Sequence, residues 1–310
     1  MLKGKKMSTK IQWTDESWQP VVGCTKVSAG CDNCYAEKMA ERLAAMACSI
    51  KRKKPPTESM LAYTKAIKMW FDPKTEKSFW KDWSGKTICI ESVLDKPLHW
   101  KKPRKIFVCS MGDLFHPGVP FAFVADVLSV LSVCKHHTGQ ILTKRPDRML
   151  EIFTDSRLRK HISKRTLEWD LGYAVVNPER DEGWPLSNVW LGVTAENQKC
   201  ADERIPILLQ IPAEIRFLSI EPCLSSVDLC YEAENSYCKT RPLHIDWVII
   251  GCESGPKRRP CKLEWVRSIV EQCKAADVPV FVKQLSINGK VSHKMFEWPE
   301  DLRVRQYPKN

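Results

Sequence analysis

The sequence lacks any apolar run of 18 residues, so it contains no candidate transmembrane helix. Its basic N-terminal stretch, MLKGKKMSTKIQW, is not followed by the apolar segment of a secretory signal. Internal repeats and low-complexity tracts are also absent. The first two absences predict a cytoplasmic protein with no membrane partner.

The composition is that of a globular chain with a sizeable core. With 310 residues, of which 43% are apolar, the chain is long enough for one large α/β barrel or two ordinary domains. The net charge of +12 favours a polyanionic or phosphorylated partner, with DNA or RNA as the first expectation. The 14 cysteines are spread along the chain, which predicts free thiols in a reducing compartment rather than a disulfide framework.

Eight short runs rich in β-branched and apolar residues predict strands. They are QPVVG (19–23), KTICI (86–90), KIFVCS (105–110), GQILT (139–143), NVWLGVT (188–194), IRFLSI (215–220), DWVIIG (246–251) and PVFVK (279–283). Helical patterns follow at 32–48, 120–135, 196–210 and 262–276. Alternating strands and helices predict an α/β fold with a parallel sheet, as a complete or partial (β/α) barrel, and a doubly wound open sheet is the alternative.

We expect a single domain over residues 1–310, interrupted by insertions near 49–84, 153–187 and 223–245. In a barrel of this kind the functional residues lie just after the strands.

Three cysteines, Cys24, Cys31 and Cys34, fall within eleven residues after the first predicted strand. A structural zinc site usually has two close pairs of ligands, but this chain has no second C-x-x-C, and Cys48 lies at the far end of a predicted helix. Three thiolates without a fourth suit a [4Fe–4S] cluster that keeps one iron open. Zinc binding and unligated thiols are the alternatives.

Six segments resemble the phage-associated three-cysteine-motif family, which is grouped with radical-SAM proteins and sometimes labelled DNA-repair-photolyase-like. They are IQWTDESWQPVVGCTKVSAGCDNCYAEKMAERL, SMGDLFHPGVP, ILTKRPDRM, VWLGVTAENQ, RIPILLQIPAEIRFLSIEPCL and DWVIIGCESGPKRRP. The resemblance implies a barrel of the radical-SAM type, a [4Fe–4S] cluster and S-adenosylmethionine (SAM) as cofactors, and a bacterial or phage-infected host. It also implies an electron donor and a three-Cys-motif partner protein encoded beside this one.

The chain departs from the radical-SAM pattern at three places. Its ligands are spaced C-x₆-C-x₂-C, with Asn33 before Cys34 and Tyr35 after it, instead of C-x₃-C-x₂-C with an aromatic residue before the last cysteine. Cys252 replaces a glycine in GCESG, and the usual KQWG reads KQLSINGK. The first change bears on how adenine is stacked. The other two lie at the predicted rim and could narrow or redirect the pocket.

Polar residues after the predicted strands are the candidate cofactor-binding groups. Asp113 could accept hydrogen bonds from an amino group or ribose, although SMGDLFH is also a common turn composition. The glutamates could bind SAM or sugar hydroxyls, or could pair with Arg145, Arg216 or Lys283 in a structural network. The candidate set is Ser110, Gly112, Asp113, Glu196, Glu221, Glu253 and Tyr35, and no catalytic residue is assigned.

Basic runs at 51–56, 96–105, 157–165 and 257–259 are candidate phosphate contacts, with His99 and Trp100 placed to stack on bases. Two functions remain open: a radical-SAM-like enzyme acting on a nucleic acid or nucleotide-like substrate, or a non-catalytic, metal-stabilised binding protein.

Overall fold

The computed structural model describes residues 9, 11–49, 54–168, 182–229 and 245–308. Its helices are α1 (Tyr35–Ala47), α2 (Glu58–Ala66), α3 (Phe121–Val133), α4 (Pro146–Thr154), α5 (Ser156–Glu168), α6 (Gln198–Gln210) and α7 (Leu263–Ala275). Its strands are β1 (Glu16–Trp18), β2 (Val21–Val22), β3 (Ile67–Asp72), β4 (Lys77–Trp83), β5 (Ile88–Cys89), β6 (Lys105–Val108), β7 (Thr138–Thr143), β8 (Val189–Thr194), β9 (Ile215–Ile220), β10 (Trp247–Gly251), β11 (Val280–Ile287) and β12 (Lys290–Ser292).

Eight strands form one mostly parallel sheet in the order β1-β6-β7-β8-β9-β10-β11-β12. Strand β12 is antiparallel to β11. The sheet is not closed, so the predicted α/β class and parallel sheet are confirmed, whereas a complete barrel is not what the chain forms.

All eight predicted runs are strands, but two of them lie outside the large sheet. Strands β2 and β5 pair with each other, antiparallel, and β1 and β12 occupy the two edges instead. The four predicted helices are α1, α3, α6 and α7.

The strands and helices follow from local sequence. The runs VWLGVT and WVIIG are buried at every position, as expected for interior strands of a covered sheet. Helix α1 buries Ala36, Ala40, Ala44 and Ala47 along one stripe, and α6 begins where the Asn197 side chain accepts a hydrogen bond from Cys200 N at 2.9 Å.

The chain divides into two compact units. The first comprises Met1–Val27, Cys34–Ile141 and Glu151–Val189, and the second comprises Ser28–Asn33, Leu142–Leu150 and Trp190–Asn310. The single-domain expectation stays a prediction. None of the helices in the described ranges is long and apolar enough to cross a membrane.

Candidate functional site

The loop Ser28–Asn33, called here the Cys31 loop, packs within the second unit. It contains a short 3₁₀ helix, Ala29–Cys31, and the backbone N–H of Gly30 donates a hydrogen bond to Glu196 Oε1 at 3.1 Å. Glu196 lies two residues beyond β8, so the loop is anchored at the carboxyl end of that strand.

Glu196 is fully buried and paired with a buried arginine. Arg204 Nη1 lies 3.0 Å from Glu196 Oε2 and also donates to the carbonyl of Thr194 at 2.7 Å. Burial raises the pKa of the Glu196 carboxyl, but the hydrogen bond from Ser28 and the charges of Arg204 and Lys144 outweigh burial and lower that pKa. Glu196 is therefore an ionised anchor for the loop.

We predict that Gly30→Ala destabilises the protein by about 1–3 kcal/mol, because the added methyl has no room. An ideal Cβ on Gly30 would lie 2.9 Å from the carboxyl carbon of Glu196, which Arg204 holds in place. Urea unfolding of a Gly30→Ala and Gly30→Val series measures the effect, with Val costing more than Ala. Equal stability across the series would show that the loop does not contact Glu196.

A second carboxylate, Glu253, anchors the other end of the Cys31 loop. Asn33 Nδ2 donates to Glu253 Oε2 at 3.0 Å, and Arg259 Nη2 lies 2.5 Å from Glu253 Oε1. The same guanidinium donates to the carbonyl of Ala29 at 2.9 Å and to Asp32 Oδ2 at 3.3 Å. Burial raises the pKa of Glu253, but hydrogen bonds from Arg259 and Asn33 lower it overall. Because Glu253 follows β10, the loop is held at the carboxyl ends of two parallel strands, β8 and β10.

The third glutamate, Glu221, follows β9 and lies 3.1 Å from Lys283 Nζ. The expected pairing with Lys283 is therefore present. The other two glutamates have different partners from those expected, since Glu196 pairs with Arg204 and Glu253 with Arg259, and Arg216 donates to the carbonyl of Ile211.

The segment before Cys24 packs against the carboxyl end of β6 within the first unit. Gly23 N donates to the carbonyl of Met111 at 3.2 Å, and Gly23 forms a parallel bridge with Gly112. A Cβ on Gly112 would lie 2.8 Å from the carbonyl oxygen of Val21. The missing side chain at Gly112 therefore leaves room for the backbone of Val21.

Three other candidates of the first unit lie near the end of β6. Ser110 and Asp113 follow this strand, and Tyr35 contacts Ser110. Tyr35 is half-exposed and its hydroxyl donates to the carbonyl of Ser110 at 2.8 Å, and the Ser110 hydroxyl lies 2.6 Å from Gln19 Nε2. Asp113 is buried, and its Oδ1 accepts a hydrogen bond from Phe115 N at 3.0 Å. This contact is typical of a turn, which was the alternative interpretation of SMGDLFH. His116 Nε2 lies 2.9 Å from Thr25 Oγ1.

The three motif thiols differ from the other cysteines in their environment. Cys24, Cys31 and Cys34 are all partly exposed, and Cys34 caps the N-terminus of α1. Cys48 lies at the opposite end of that 13-residue helix, about 20 Å away at 1.5 Å per residue, so it cannot share a metal with Cys34.

Burial raises the pKa of most other described thiols, which keeps them protonated and disfavours them as ligands. These pKa values reach about 11 for Cys89 and Cys134 and about 12 for Cys252 and Cys273. Burial also raises the pKa of Cys109, and a hydrogen bond with Cys223 raises that of Cys261. Cys230 and Cys238 lie outside the described residues.

Within the described ranges, the one group of three acidic, thiol or imidazole ligand atoms lying within 4.8 Å of one another is Glu37, Glu41 and Asp82. Glu37 already accepts from Trp83 N and pairs with Lys26, and Glu41 accepts from Asp82 N and pairs with Lys38. Those carboxylates are occupied by the protein itself.

In the second unit, one face of the sheet is aromatic near the amino ends of the strands and polar near the carboxyl ends. The register places Trp190, Phe217, Trp247 and Phe281 on the same face, with Trp247 within 6.2 Å of each of the other rings. Thr194 and Ser219 lie further along that face, at the end where Glu196 and Glu221 follow. On this face of the second unit, the polar residues therefore lie near the carboxyl ends of the strands.

In the first unit, Gln140 lies in the middle of β7 and is fully buried. It shares a face of the sheet with Ser17 and Phe107, opposite the face on which Gly139 contacts Leu131 of α3. Neither amide atom of Gln140 has a hydrogen-bond partner among the described residues, and the Ser17 hydroxyl has none either. No local sequence signal marks Gln140 as unusual, because it lies inside the apolar run GQILT.

We expect Gln140→Met to stabilise the protein by about 1–3 kcal/mol, because methionine has a similar shape and removes two unsatisfied buried groups. Urea unfolding measures the change, and Gln210→Met at the exposed end of α6 is the control, with an effect within about 0.5 kcal/mol. A destabilised Gln140→Met protein would mean that the amide has a bound partner on this face of the sheet.

The predicted phosphate-binding run 257–259 is largely engaged within the protein, and Arg104 of the run 96–105 is engaged as well. In the run 257–259, Arg258 donates to backbone carbonyls and Arg259 binds Glu253. In the run 96–105, Arg104 pairs with Glu16 and lies over the Trp100 ring at 5.1 Å. Residues 51–53 of the first run lie outside the described residues.

Comparison with curated proteins found no match, and comparison with solved structures found none. A family model described as "Protein of unknown function (DUF5131)" matches residues 8–299. The chain therefore belongs to the DUF5131 family.

Proposed function

We propose that this protein is a radical-SAM-like enzyme whose Cys24, Cys31 and Cys34 bind a [4Fe–4S] cluster, and that it acts on a nucleic acid or nucleotide-like substrate. The observation that supports this most is the anchoring of the Cys31 loop by Glu196 and Glu253, which follow β8 and β10. The carboxyl ends of parallel strands are where α/β proteins bind cofactors.

The donor set fits such a cluster. Three partly exposed thiols lie on a loop leading into α1, and the N-terminus of a helix stabilises a thiolate at Cys34. Cys48 is too far along α1 to be a fourth ligand to the same group. When bound, a cluster with one open iron holds SAM and supplies the electron that cleaves its sulfonium.

We assign the protein groups different tasks. Glu196 and Glu253 are positioning residues, because their carboxylates are already used to hold the Cys31 loop. Gly112 is explained by packing against Val21. The candidates for contact with SAM remain Ser110, Asp113, Tyr35 and Glu221, with the half-exposed Tyr35 ring suited to stacking on adenine.

The open sheet is compatible with a partial barrel of the radical-SAM type. An electron donor and the adjacent three-Cys-motif protein are the expected partners.

A non-catalytic, metal-stabilised binding protein is the second candidate. It is favoured by the same two ion pairs, since a structural metal site also requires a fixed loop and has no need of free carboxylates.

Metal analysis after anaerobic purification and reconstitution distinguishes the two. The enzyme proposal predicts a brown protein with about four irons and four sulfides per chain. One tightly held zinc in a colourless protein that takes up no iron would contradict it and support the second candidate.

A further inference from the structure

The β3–β4 hairpin exposes more large apolar side chains than any other described element of the first unit. Met69 is 65% exposed, Phe71 62%, Trp70 46% and Phe79 45%. The hairpin is a separate two-stranded sheet, whose base residues Ile67 and Trp83 belong to a buried core cluster and whose Trp80 packs against that cluster. An exposed aromatic surface of this kind usually marks a binding site.

The register divides the hairpin into two unlike faces. Directly opposite residues of an antiparallel pair lie on the same face, and three such pairs share one face: Lys68 with Lys81, Trp70 with Phe79, and Asp72 with Lys77. We call this the Trp70 face. The other face carries Met69 and Trp80, then Phe71 and Ser78.

The exposed charges of the Trp70 face favour an anionic partner. Lys68 and Lys81 are exposed and directly opposite each other, an arrangement that destabilises a hairpin through repulsion. Neither lysine belongs to a salt bridge within the ranges that the structure describes. The Asp72 carboxylate is engaged by the turn, where it accepts from Lys74 N at 2.9 Å and Thr75 Oγ1 at 2.7 Å.

The aromatic pair is held ready for stacking. Trp70 Nε1 donates to the carbonyl of Lys81 at 3.2 Å, which fixes the indole while leaving its ring accessible. Lys68 lies two residues before Trp70, about 6.6 Å along the strand at 3.3 Å per residue. A planar group stacked on the ring would therefore have its attached anion within reach of a lysine.

We propose that the Trp70 face binds single-stranded nucleic acid, with bases stacked on Trp70 and Phe79 and phosphates bound by Lys68 and Lys81. Stacking surfaces beside lysines bind single strands with little sequence preference, because every base offers an aromatic face. The inference deepens the nucleic-acid part of the proposed function, but it requires neither the cluster nor SAM.

Fluorescence anisotropy with a labelled oligothymidylate of about 20 nucleotides tests the proposal on the full-length reconstituted protein. Loss of one stacking ring is worth about 1–3 kcal/mol, so Trp70→Ala and Phe79→Ala should each weaken binding by roughly 5- to 150-fold, and Trp70→Phe should retain most of it. The double variant Lys68→Gln, Lys81→Gln should reduce the slope of log K against log salt by about 1.4, because each phosphate contact on a single strand contributes about 0.7.

Met69→Ser, Phe71→Ser on the opposite face is the matched control and should bind as the wild type does. Wild-type affinity in both Trp70→Ala and the double lysine variant would overturn the proposal. Equal weakening by the Met69 and Phe71 control would also overturn it, since binding would then not depend specifically on the Trp70 face. Iron content is measured in every variant and should not change, so failure here is distinguishable from failure of the cluster proposal.

Discussion

Replacing Cys31 by alanine is expected to lower bound iron more than about tenfold while the protein stays folded. Mutation of residues that only support a metal ligand typically lowers metal affinity about 10- to 100-fold, and loss of the ligand itself should cost at least as much. The fold should persist because the contacts that anchor the Cys31 loop, Gly30 to Glu196 and Asn33 to Glu253, do not involve the thiol. Iron and sulfide analysis with circular dichroism measures both quantities, and Cys24→Ala and Cys34→Ala should behave alike.

Two other cysteines provide matched controls for this series. Cys48→Ala changes an exposed thiol at the far end of α1, and Cys273→Ala changes a buried thiol in α7. Both should keep the full iron content. If Cys31→Ala retained as much iron as Cys48→Ala, the motif would not be the binding site.

Arg204→Met is expected to destabilise the protein by about 3–5 kcal/mol, the cost of leaving one member of a buried ion pair without its partner. The Glu196 side chain is fully buried and that of Arg204 is 7% exposed, so water cannot replace the lost guanidinium. Urea unfolding at pH 7 measures the change. The double variant Glu196→Gln, Arg204→Met should recover part of the loss, since it removes the unpaired charge.

The effect of Arg204→Met should shrink as the pH falls. Glu196 has a lowered pKa in the folded protein, so its ion pair contributes stability above the usual glutamate pKa of about 4.3, and that contribution is lost as the pH falls through the folded value. Wild type and variant should therefore converge in acid. A constant difference between them as the pH falls from 5 to 2.5 would show that the loss comes from packing and not from charge.

Strand positions could be predicted from the sequence, but strand partners could not. The run VWLGVT is apolar enough to indicate a buried strand by itself. The two-residue strands β2 and β5 look equally apolar, yet they pair with each other. The edge strands β1 and β12 have only three residues each, ESW and KVS, which is too short and polar to give a periodic signal.

The candidate site was predictable in the same partial way. Glu196, Glu221 and Glu253 do follow β8, β9 and β10, because parallel strands end in polar residues where they meet solvent or ligand. Their partners depend on tertiary geometry: Arg204 lies on the helix after Glu196, and Arg259 belongs to a run that resembles a solvated basic patch. No local pattern indicates that Gly30 must be small to approach Glu196.

The most direct test of the proposed enzyme is anaerobic incubation of the reconstituted protein with SAM and a strong reductant, followed by chromatographic assay for 5′-deoxyadenosine. The proposed cluster on Cys24, Cys31 and Cys34 predicts 5′-deoxyadenosine from the wild type and the Cys48→Ala control, and none from Cys31→Ala. A wild-type protein that holds four irons and four sulfides yet releases no 5′-deoxyadenosine would contradict the proposal.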